Sequence, residues 1–398
     1  MKVSFITLGC KLNQAETDSL KQNLLLRGFS VISKDNKPDL VIIRACGVTC
    51  NASQTSREII RKFKKENIYT VATGCLENNE IQEIDFHAKN NDEIVKHLEQ
   101  IRSHFSDSCT EHSNLEAKKT RKLIKIQTGC NFQCSYCIIP KFRGLSQSVK
   151  KENIIKDIQE CEKQYFKEIT LTGVNICQYN DNGDDLSTLL NDVLTQTNIT
   201  RIRLGSLDPR LITKELVTLY NENKDRLLPH FHLSLQSGSD TVLKAMSRGY
   251  TAKTYKDIIK YARAQNPLFS ITTDIIVGFP TEDDIEFQKT VAFVRKIQFT
   301  DVHIFPFSPR PETKACELTP VHNQTVTDRA KKLKDVVKKS GEKYIQHFIG
   351  KELPILFEHQ KSGTWYGYSP QYFRVKHKSK QNLANVIKNI VIDKHNIC

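Results

Sequence analysis

Three apolar runs in the first 110 residues each end at a cysteine. Val3-Ser-Phe-Ile-Thr-Leu8 leads to Gly9-Cys10, Leu40-Val-Ile-Ile43 to Arg44-Ala45-Cys46, and Tyr69-Thr-Val-Ala72 to Thr73-Gly74-Cys75. Stretches of helical character, near Ala15–Arg27 and Ser53–Lys65, lie between them. Strands alternating with helices predict a parallel sheet with right-handed crossovers. In such a sheet the strand C-termini share one edge, where ligands bind. Cys10, Cys46 and Cys75 are therefore expected to converge there, against the alternative of three separate buried structural cysteines. Cys50 reads as the first turn of the following helix, and Cys109, in a polar linker, as incidental.

The same alternation continues through residues 115–345. Strands are predicted at Lys122–Gln127, Glu168–Thr172, Arg201–Leu204, His230–Leu235, Ile271–Gly278 and Asp301–Phe307, with helices near Lys150–Tyr165, Thr213–Asn221, Thr251–Ala264 and Asp283–Lys296. By itself this pattern gives an α/β fold. A lysine-rich helix, Asp328–Tyr344, precedes a change of period: short strand-like runs at Leu353–Phe357, Thr364–Tyr366, Phe373–Lys376 and Asn385–Ile387, with frequent turns. Residues 346–398 thus predict a small β-barrel.

Composition narrows the function classes. The chain has 398 residues, 12 cysteines and a formal net charge of +14, which favours a polyanionic partner. No stretch approaches the roughly 20 apolar residues of a membrane helix, and the N-terminal apolar run is too short for a signal peptide. The cysteines are accordingly expected to be reduced, partly metal-binding and cytoplasmic. The tail carries eight Lys or Arg against three Asp or Glu, whereas the first 110 residues carry fifteen against fourteen. Trp365, Tyr366, Tyr368, Tyr372 and Phe373 interleave with the tail's basic residues. Aromatic faces stack bases while lysines meet phosphates; alternatively, about half of these rings fill the barrel's own core.

The most specific chemistry sits in Cys130-Asn-Phe-Gln-Cys134-Ser-Tyr-Cys137, a C-x3-C-x2-C spacing on a loop after a predicted strand. Three thiolates so close can hold three irons of a [4Fe–4S] cluster and leave the fourth iron without a cysteine ligand. A zinc knot would want four ligands, usually as two C-x2-C pairs, and no second pair exists. The spacing resembles the radical S-adenosylmethionine (SAM) enzymes, in which the open iron chelates SAM and the reduced cluster cleaves it to a 5′-deoxyadenosyl radical.

Further motifs resemble the methylthiotransferases, a radical SAM subfamily. They are Thr7-Leu-Gly-Cys-Lys-Leu-Asn-Gln14, Cys46-Gly-Val-Thr49, Thr73-Gly-Cys75, and Ile126 to Pro140 followed by Arg143-Gly144. Thr128, Val149, Thr281 and Glu312 depart from the family's pattern, but none is one of the six cysteines. The resemblance implies two [4Fe–4S] clusters, one on Cys130, Cys134 and Cys137 and the other on Cys10, Cys46 and Cys75. It also supplies the architecture: a doubly wound parallel sheet over residues 1–110, a partial (βα)6 TIM-like radical SAM barrel over 115–345, and a TRAM-like RNA-binding barrel over 346–398. In such barrels chemistry gathers at strand C-termini. The turns there nominate Ser206 and Gln236 as SAM contacts, set against ordinary turn chemistry. Arg203 and Asp274, on predicted strands, read as members of structural ion pairs.

The implied reaction replaces C–H by C–SCH3 at C2 of an adenine in tRNA. His232-Leu-Ser-Leu-Gln-Ser-Gly-Ser-Asp240 and His303 to Arg310 look most like the branch acting on N6-threonylcarbamoyladenosine at position 37, in the anticodon stem-loop. N6-isopentenyladenosine, an aspartate of a ribosomal protein, and a non-catalytic iron–sulfur RNA-binding role are the alternatives. An electron donor and a sulfur source are the further partners that the reaction implies, and no membrane is expected.

Overall fold

A computed structural model describes residues 1–76, 84–105 and 120–398. Cys109 and the expected boundary between the first two segments lie outside the described residues. Packing divides the chain into two compact units. The first takes the described part of residues 1–117 together with 137–145 and 308–312; the second takes the described part of 118–136, 146–307 and 313–398.

In the first unit the chain runs β1 (Lys2–Thr7), α1 (Lys11–Leu26), β2 (Ser30–Val31), β3 (Leu40–Ala45), α2 (Cys50–Lys65), β4 (Tyr69–Gly74), β5 (Phe86–His87) and α3 (Asn91–Ile101). The strands pair in the order β2-β1-β3-β4-β5, all parallel. Strand alternation explains the two layers of helix. Leu40, Ile42 and Val71 pack with Leu20 and Leu24 of α1 and with Ile94 and Leu98 of α3. Val41, Ile43 and Ala72 pack with Ile60 and Phe63 of α2. Every residue of β3 is buried, so its first four residues form a continuous apolar run rather than an alternation, and the one charge, Arg44, is paired with Glu16. The sheet is therefore doubly wound, as expected. Its order reverses at β1 and β3, where such sheets open a crevice.

The second unit begins with β6 (Arg121–Lys125) and β7 (Gln127–Thr128); α4 (Ile139–Arg143) belongs to the first unit. There follow β8 (Gln147–Ser148), α5 (Lys151–Lys163), β9 (Glu168–Thr172), α6 (Leu186–Gln196), β10 (Arg201–Leu204), β11 (Ser206–Leu207), α7 (Lys214–Glu222), β12 (His230–Leu233), α8 (Asp240–Ala245), α9 (Ala252–Gln265), β13 (Ser270–Val277), α10 (Asp284–Ile297), β14 (Asp301–Pro306) and α11 (Asn323–Gln346). Parallel pairing gives β10-β9-β6 and β11-β12-β13-β14, and β10 continues into β11 across Gly205. A Cβ at Gly205 would stand 3.0 Å from the Leu171 carbonyl oxygen, so the strand can bend there only without a side chain. Among the described residues β14 and β6 do not pair, which leaves the barrel partial.

The outward residues of these strands, such as Ile169, Leu171, Phe231, Leu233 and Ile275, join one apolar core with the helices. The intervening residues are polar: Glu168, Thr170 and Thr172 on β9, Arg201 and Arg203 on β10, His230 and His232 on β12, Thr272 and Asp274 on β13. Period two thus separates an apolar exterior from a polar lumen.

The tail forms β15 (Glu352–Lys361), β16 (Thr364–Tyr368), β17 (Arg374–Lys378) and β18 (Val386–Val391), antiparallel in the order β17-β16-β15-β18. The last residues return to β17: Lys376 N–H donates to the Asn396 carbonyl and Cys398 N–H to that of Arg374. Trp365 and Phe373 lie in the tail's own core. Tyr368 and Tyr372 stack on each other with ring centroids 5.1 Å apart, and the Arg121 guanidinium lies 4.6 Å from the Tyr368 ring. Of the five expected aromatics, only Tyr366 is neither in that core nor packed against the barrel. It lies on the outer surface between His359 and Arg374.

The seam between tail and barrel is ionic. Glu168 is fully buried and accepts from Arg201 Nε at 2.8 Å and Arg203 Nε at 2.7 Å. The two guanidiniums donate onward to the carbonyls of Pro354, Tyr368, Ser369 and Pro370. All three side chains stand at or near strand N-termini, the end opposite the catalytic edge of such barrels. Burial opposes the Glu168 charge, but Arg203, Arg201 and Arg121 outweigh it and hold the carboxyl below its ordinary range. Its contribution is therefore complete above the unfolded value of about 4.3 and is lost only as pH falls through the depressed folded value. Glu168→Gln, which leaves two buried arginines uncompensated, should cost about 3–5 kcal/mol in urea unfolding at pH 7.

Candidate functional site: two groups of cysteines

The first group lies on the loop after β7. Gln127 is fully buried and fixes the approach to it. Its Nε2 donates to the carbonyls of Thr128 at 2.8 Å and Gly129 at 2.7 Å, and its Oε1 accepts from Asn175 N–H. Beyond Cys130, Asn131 N–H donates to Gln178 Oε1 and Asn131 Oδ1 accepts from Ser146 N–H. Beyond Cys134, Ser135 is held on both sides, donating to the Met246 carbonyl and accepting from Ala315 N–H. The loop is thus anchored by the residues between its cysteines, Asn131 and Ser135.

Two arginines, not anticipated from the sequence, stand beside this loop. Arg248 Nη1 donates to Cys134 Sγ at 3.3 Å, and Arg210 Nη2 lies 3.9 Å from the same sulfur. Asp208 Oδ2 accepts from Arg210 at 2.6 Å and Arg248 at 3.2 Å, which fixes both guanidiniums. Arg210 also covers the Phe132 ring, 3.3 Å from its centroid. Burial works against the Asp208 charge, but the arginines hold its carboxyl below the ordinary range. Burial pushes the Cys130 thiol up.

Ser206 opens β11 just past Gly205, and Gln236 lies three residues beyond the end of the neighbouring β12. Ser206 pairs with His232 in register. Gln236 has φ +71°, and its backbone bonds the Asp274 carbonyl and Ile276 N–H, continuing β12 past its last residue. A left-handed backbone at a non-glycine residue is strained and collects at ligand sites.

The second group forms in the first unit, at the crevice between β1 and β3. Cys10 is the N-cap of α1 and makes no side-chain cap there; Cys46 follows β3 and Cys75 follows β4. Asn13, almost fully buried, ties the loops together by donating to the Leu8 carbonyl at 2.7 Å and the Ala45 carbonyl at 3.0 Å. Glycines permit the close approach. A Cβ on Gly9, which has φ +87°, would fall 2.8 Å from Cys46 Sγ, and one on Gly47 would fall 2.3 Å from the Cys75 carbonyl oxygen. Each of the three cysteines thus follows a parallel strand of the same sheet, Cys10 after β1, Cys46 after β3 and Cys75 after β4.

Arg143 closes this group from α4. Its Nε donates to Cys75 Sγ at 3.2 Å, its Nη2 to Asn13 Oδ1 at 2.6 Å and its Nη1 to Glu16 Oε1 at 3.1 Å. Arg44 Nη1 meets the other Glu16 oxygen at 3.0 Å. Burial raises the Cys46 and Cys75 thiols, and Arg143 partly offsets this at Cys75. Cys50 begins α2, as expected, and faces other partners: its Sγ meets the Pro309 carbonyl at 3.2 Å and its N–H the Ser308 hydroxyl. Arg143 thus bonds Cys75 directly and also acts through its charge to lower the Cys46 thiol against the larger effect of burial, while Cys10 opens α1. Arg143 was visible in the Arg143-Gly144 motif, but its partner Glu16 lies 127 residues away and carries no spacing signal.

Two family models match the chain: the radical SAM superfamily over residues 124–294 and the uncharacterized protein family UPF0004 over residues 2–96. A threonylcarbamoyladenosine tRNA methylthiotransferase of Aquifex aeolicus is 36% identical across 89% of this chain and 92% of its own length. A tRNA-2-methylthio-N(6)-dimethylallyladenosine synthase of Thermodesulfovibrio yellowstonii is 33% identical across 78% of this chain and 77% of its own. Among solved structures, the radical SAM methyltransferase TsrM of Kitasatospora setae, with cobalamin and a [4Fe–4S] cluster bound, superposes at a TM-score of 0.59. It covers 79% of this chain and 77% of its own at 12% identity, a likeness of fold. By that identity over nearly its whole length, the chain belongs to the radical SAM methylthiotransferase family.

Proposed function

We propose that this enzyme, a radical SAM tRNA methylthiotransferase, acts at C2 of N6-threonylcarbamoyladenosine at position 37, beside the anticodon. The observation that carries this reading is the 36% identity to a relative named for that nucleoside. The isopentenyl reading stands second, on the 33% identity to a relative named for dimethylallyladenosine. Nucleoside mass spectrometry of tRNA treated with the enzyme decides between them: the 2-methylthio derivative of threonylcarbamoyladenosine supports the first reading, and of isopentenyladenosine alone the second.

The family's cofactors are SAM and two [4Fe–4S] clusters. In our reading Cys130, Cys134 and Cys137 hold the cluster of the barrel, and Cys10, Cys46 and Cys75 hold that of the N-terminal sheet. The raised thiols at Cys46, Cys75 and Cys130 must give up protons as they bind iron. Arg248 at Cys134 and Arg143 at Cys75 would offset the negative charge that cluster binding brings. A bound, reduced cluster in the barrel supplies the electron that cleaves SAM. Ser206 and Gln236 would contact SAM. The reductant, the sulfur source and a cytoplasmic setting complete the reading; among the described residues no helix is long and apolar enough to cross a membrane. The division at about residues 110 and 346 belongs to it too, with the tail as an RNA-binding segment.

The two cysteine groups should be separable. Reconstituted enzyme should hold about eight irons, and Cys134→Ala about four. Cys46→Ala should abolish methylthiolation yet still form 5′-deoxyadenosine, measured by chromatography. Loss of that product with the other cluster intact overturns the division of roles.

The tail's part is testable on its outer surface. The ring centroids of Tyr366 and His359 lie 5.3 Å apart, the Arg374 guanidinium is 4.5 Å from the Tyr366 ring, and Lys376 and Lys378 are exposed nearby. Lys376→Ala with Lys378→Ala should flatten the salt dependence of tRNA affinity by roughly 0.7–0.9 log units for each phosphate left unneutralised. An unchanged slope would place the RNA elsewhere.

A further inference from the structure

The lumen wall carries a hydrogen-bonded ladder that the assignments above do not use. It starts low, where His230 stacks on Tyr372 of the tail, with ring centroids 4.7 Å apart. His230 Nε2 meets Thr272 Oγ1 at 2.8 Å, and the same hydroxyl meets His232 Nδ1 at 3.0 Å. His232 Nε2 then meets Asp274 Oδ2 at 3.1 Å, and Asp274 Oδ1 meets His303 Nδ1 at 3.1 Å. Strands β12, β13 and β14 contribute in turn, so the ladder crosses the wall toward β14, which has no barrel neighbour on its far side among the described residues.

Exposure changes abruptly at its top. The side chains of His232 and Asp274 are 13% and 22% exposed, that of His303 56%. Two residues along β14, on the same face, stands Phe305, whose residue is 43% exposed and whose ring meets His303 edge-on. A mostly buried carboxylate thus holds an exposed imidazole in one orientation, beside an exposed aromatic face. Burial opposes the Asp274 charge, but the two imidazoles outweigh it and keep the carboxyl ionised far below its ordinary range. An imidazole held in this way is a hydrogen-bonding group suited to an anionic partner. The three ligand atoms are close enough for a metal ion, yet each imidazole engages a different Asp274 oxygen, an arrangement that hydrogen bonding explains without one.

We propose that His303 and Phe305 form the subsite that reads the target nucleoside. Phe305 stacks on the adenine, and His303 binds the carboxylate that ends the N6 substituent. Asp274 is a positioning residue behind His303, and His232 anchors Asp274. This rests on the threonylcarbamoyl reading: that substituent carries a carboxylate and a hydroxyl, whereas an isopentenyl group has nothing for an imidazole to bind.

Anticodon-loop hairpins bearing threonylcarbamoyladenosine, isopentenyladenosine or plain adenosine test it, with affinity for the cluster-reconstituted full chain measured by fluorescence anisotropy. The wild type should bind the threonylcarbamoyl hairpin at least about tenfold more tightly than the plain one, the scale of one charged hydrogen bond. His303→Ala should bring that ratio close to one while plain-hairpin affinity holds. Phe305→Ala should weaken all three hairpins together, by roughly fivefold or more, since every base offers a face to stack. Asp274→Asn should lower the ratio through the loosened imidazole, with iron content and urea midpoint reporting that the fold is intact. A His303→Ala protein that keeps the ratio, or loses affinity equally for all hairpins, overturns the subsite alone. Wild-type preference for the isopentenyl hairpin overturns the substrate reading and the subsite with it.

Discussion

Parallel strand direction is the constraint on which the rest of this structure depends. When every crossover returns the chain to the same end, residues that follow successive strands gather at one edge whatever their separation in sequence. Cys10, Cys46 and Cys75 follow β1, β3 and β4 and so come after strands of one sheet without any local motif. The same geometry in the barrel aligns the loop after β7 with the ends of β11 and β12, where Ser206 and Gln236 stand. It also sends everything structural to the opposite end, where Glu168, Arg201 and Arg203 receive the tail.

Charge is handled by one device repeated. Burying an ion is costly unless a partner is buried with it. Glu168 has two arginines within hydrogen-bonding distance, Glu16 has Arg44 and Arg143, and Asp208 has Arg210 and Arg248. In the last two sets an arginine also reaches a cysteine sulfur. The carboxylate orients the guanidinium, and the guanidinium turns its remaining donors toward the thiol. At the base of the barrel the same arrangement turns those donors toward backbone carbonyls of the tail instead. Structure and chemistry therefore draw on the same residue pair, and only the acceptor differs.

Much of this could be read from the chain because burial on both faces writes a simple pattern. The strands β3, β9 and β10 begin at Leu40, Glu168 and Arg201, where the sequence predicts them, and Cys10, Cys46 and Cys75 follow strands as the apolar runs before them predict. Short edge strands were not legible: β2 and β5 have two residues each and carry no period. Helices α3 and α6 were not among the predicted elements, although Leu186, Leu189, Leu190 and Val193 keep the helical period in α6 and Asn90 and Asp185 cap the two helices in the ordinary way. Arg248 beside Cys134 was harder still, since a guanidinium whose sulfur partner lies more than a hundred residues distant leaves no local signature. Arg203 and Asp274 were legible as charges that needed partners, but not which partners they would find.

The tail shows how composition misleads when topology is unknown. Interleaved aromatics and lysines suggested a base-stacking surface, yet an aromatic ring has two faces and a closed sheet has two sides. Trp365 points inward because it alternates with Tyr366 on β16, and Phe373 fills the same core. Tyr372, with φ +73°, turns its ring onto Arg203 and His230. Stacking with guanidinium and imidazole is the same kind of interaction that holds a base, and here Tyr372 makes it within the protein. What remains outside is Tyr366 with His359 and Arg374, a single cationic platform instead of an array. One platform contributes the stacking of about one base, roughly 1–3 kcal/mol. A surface of that size offers a place for one base, whereas the lumen wall of the barrel exposes a second ring and an imidazole together, at Phe305 and His303.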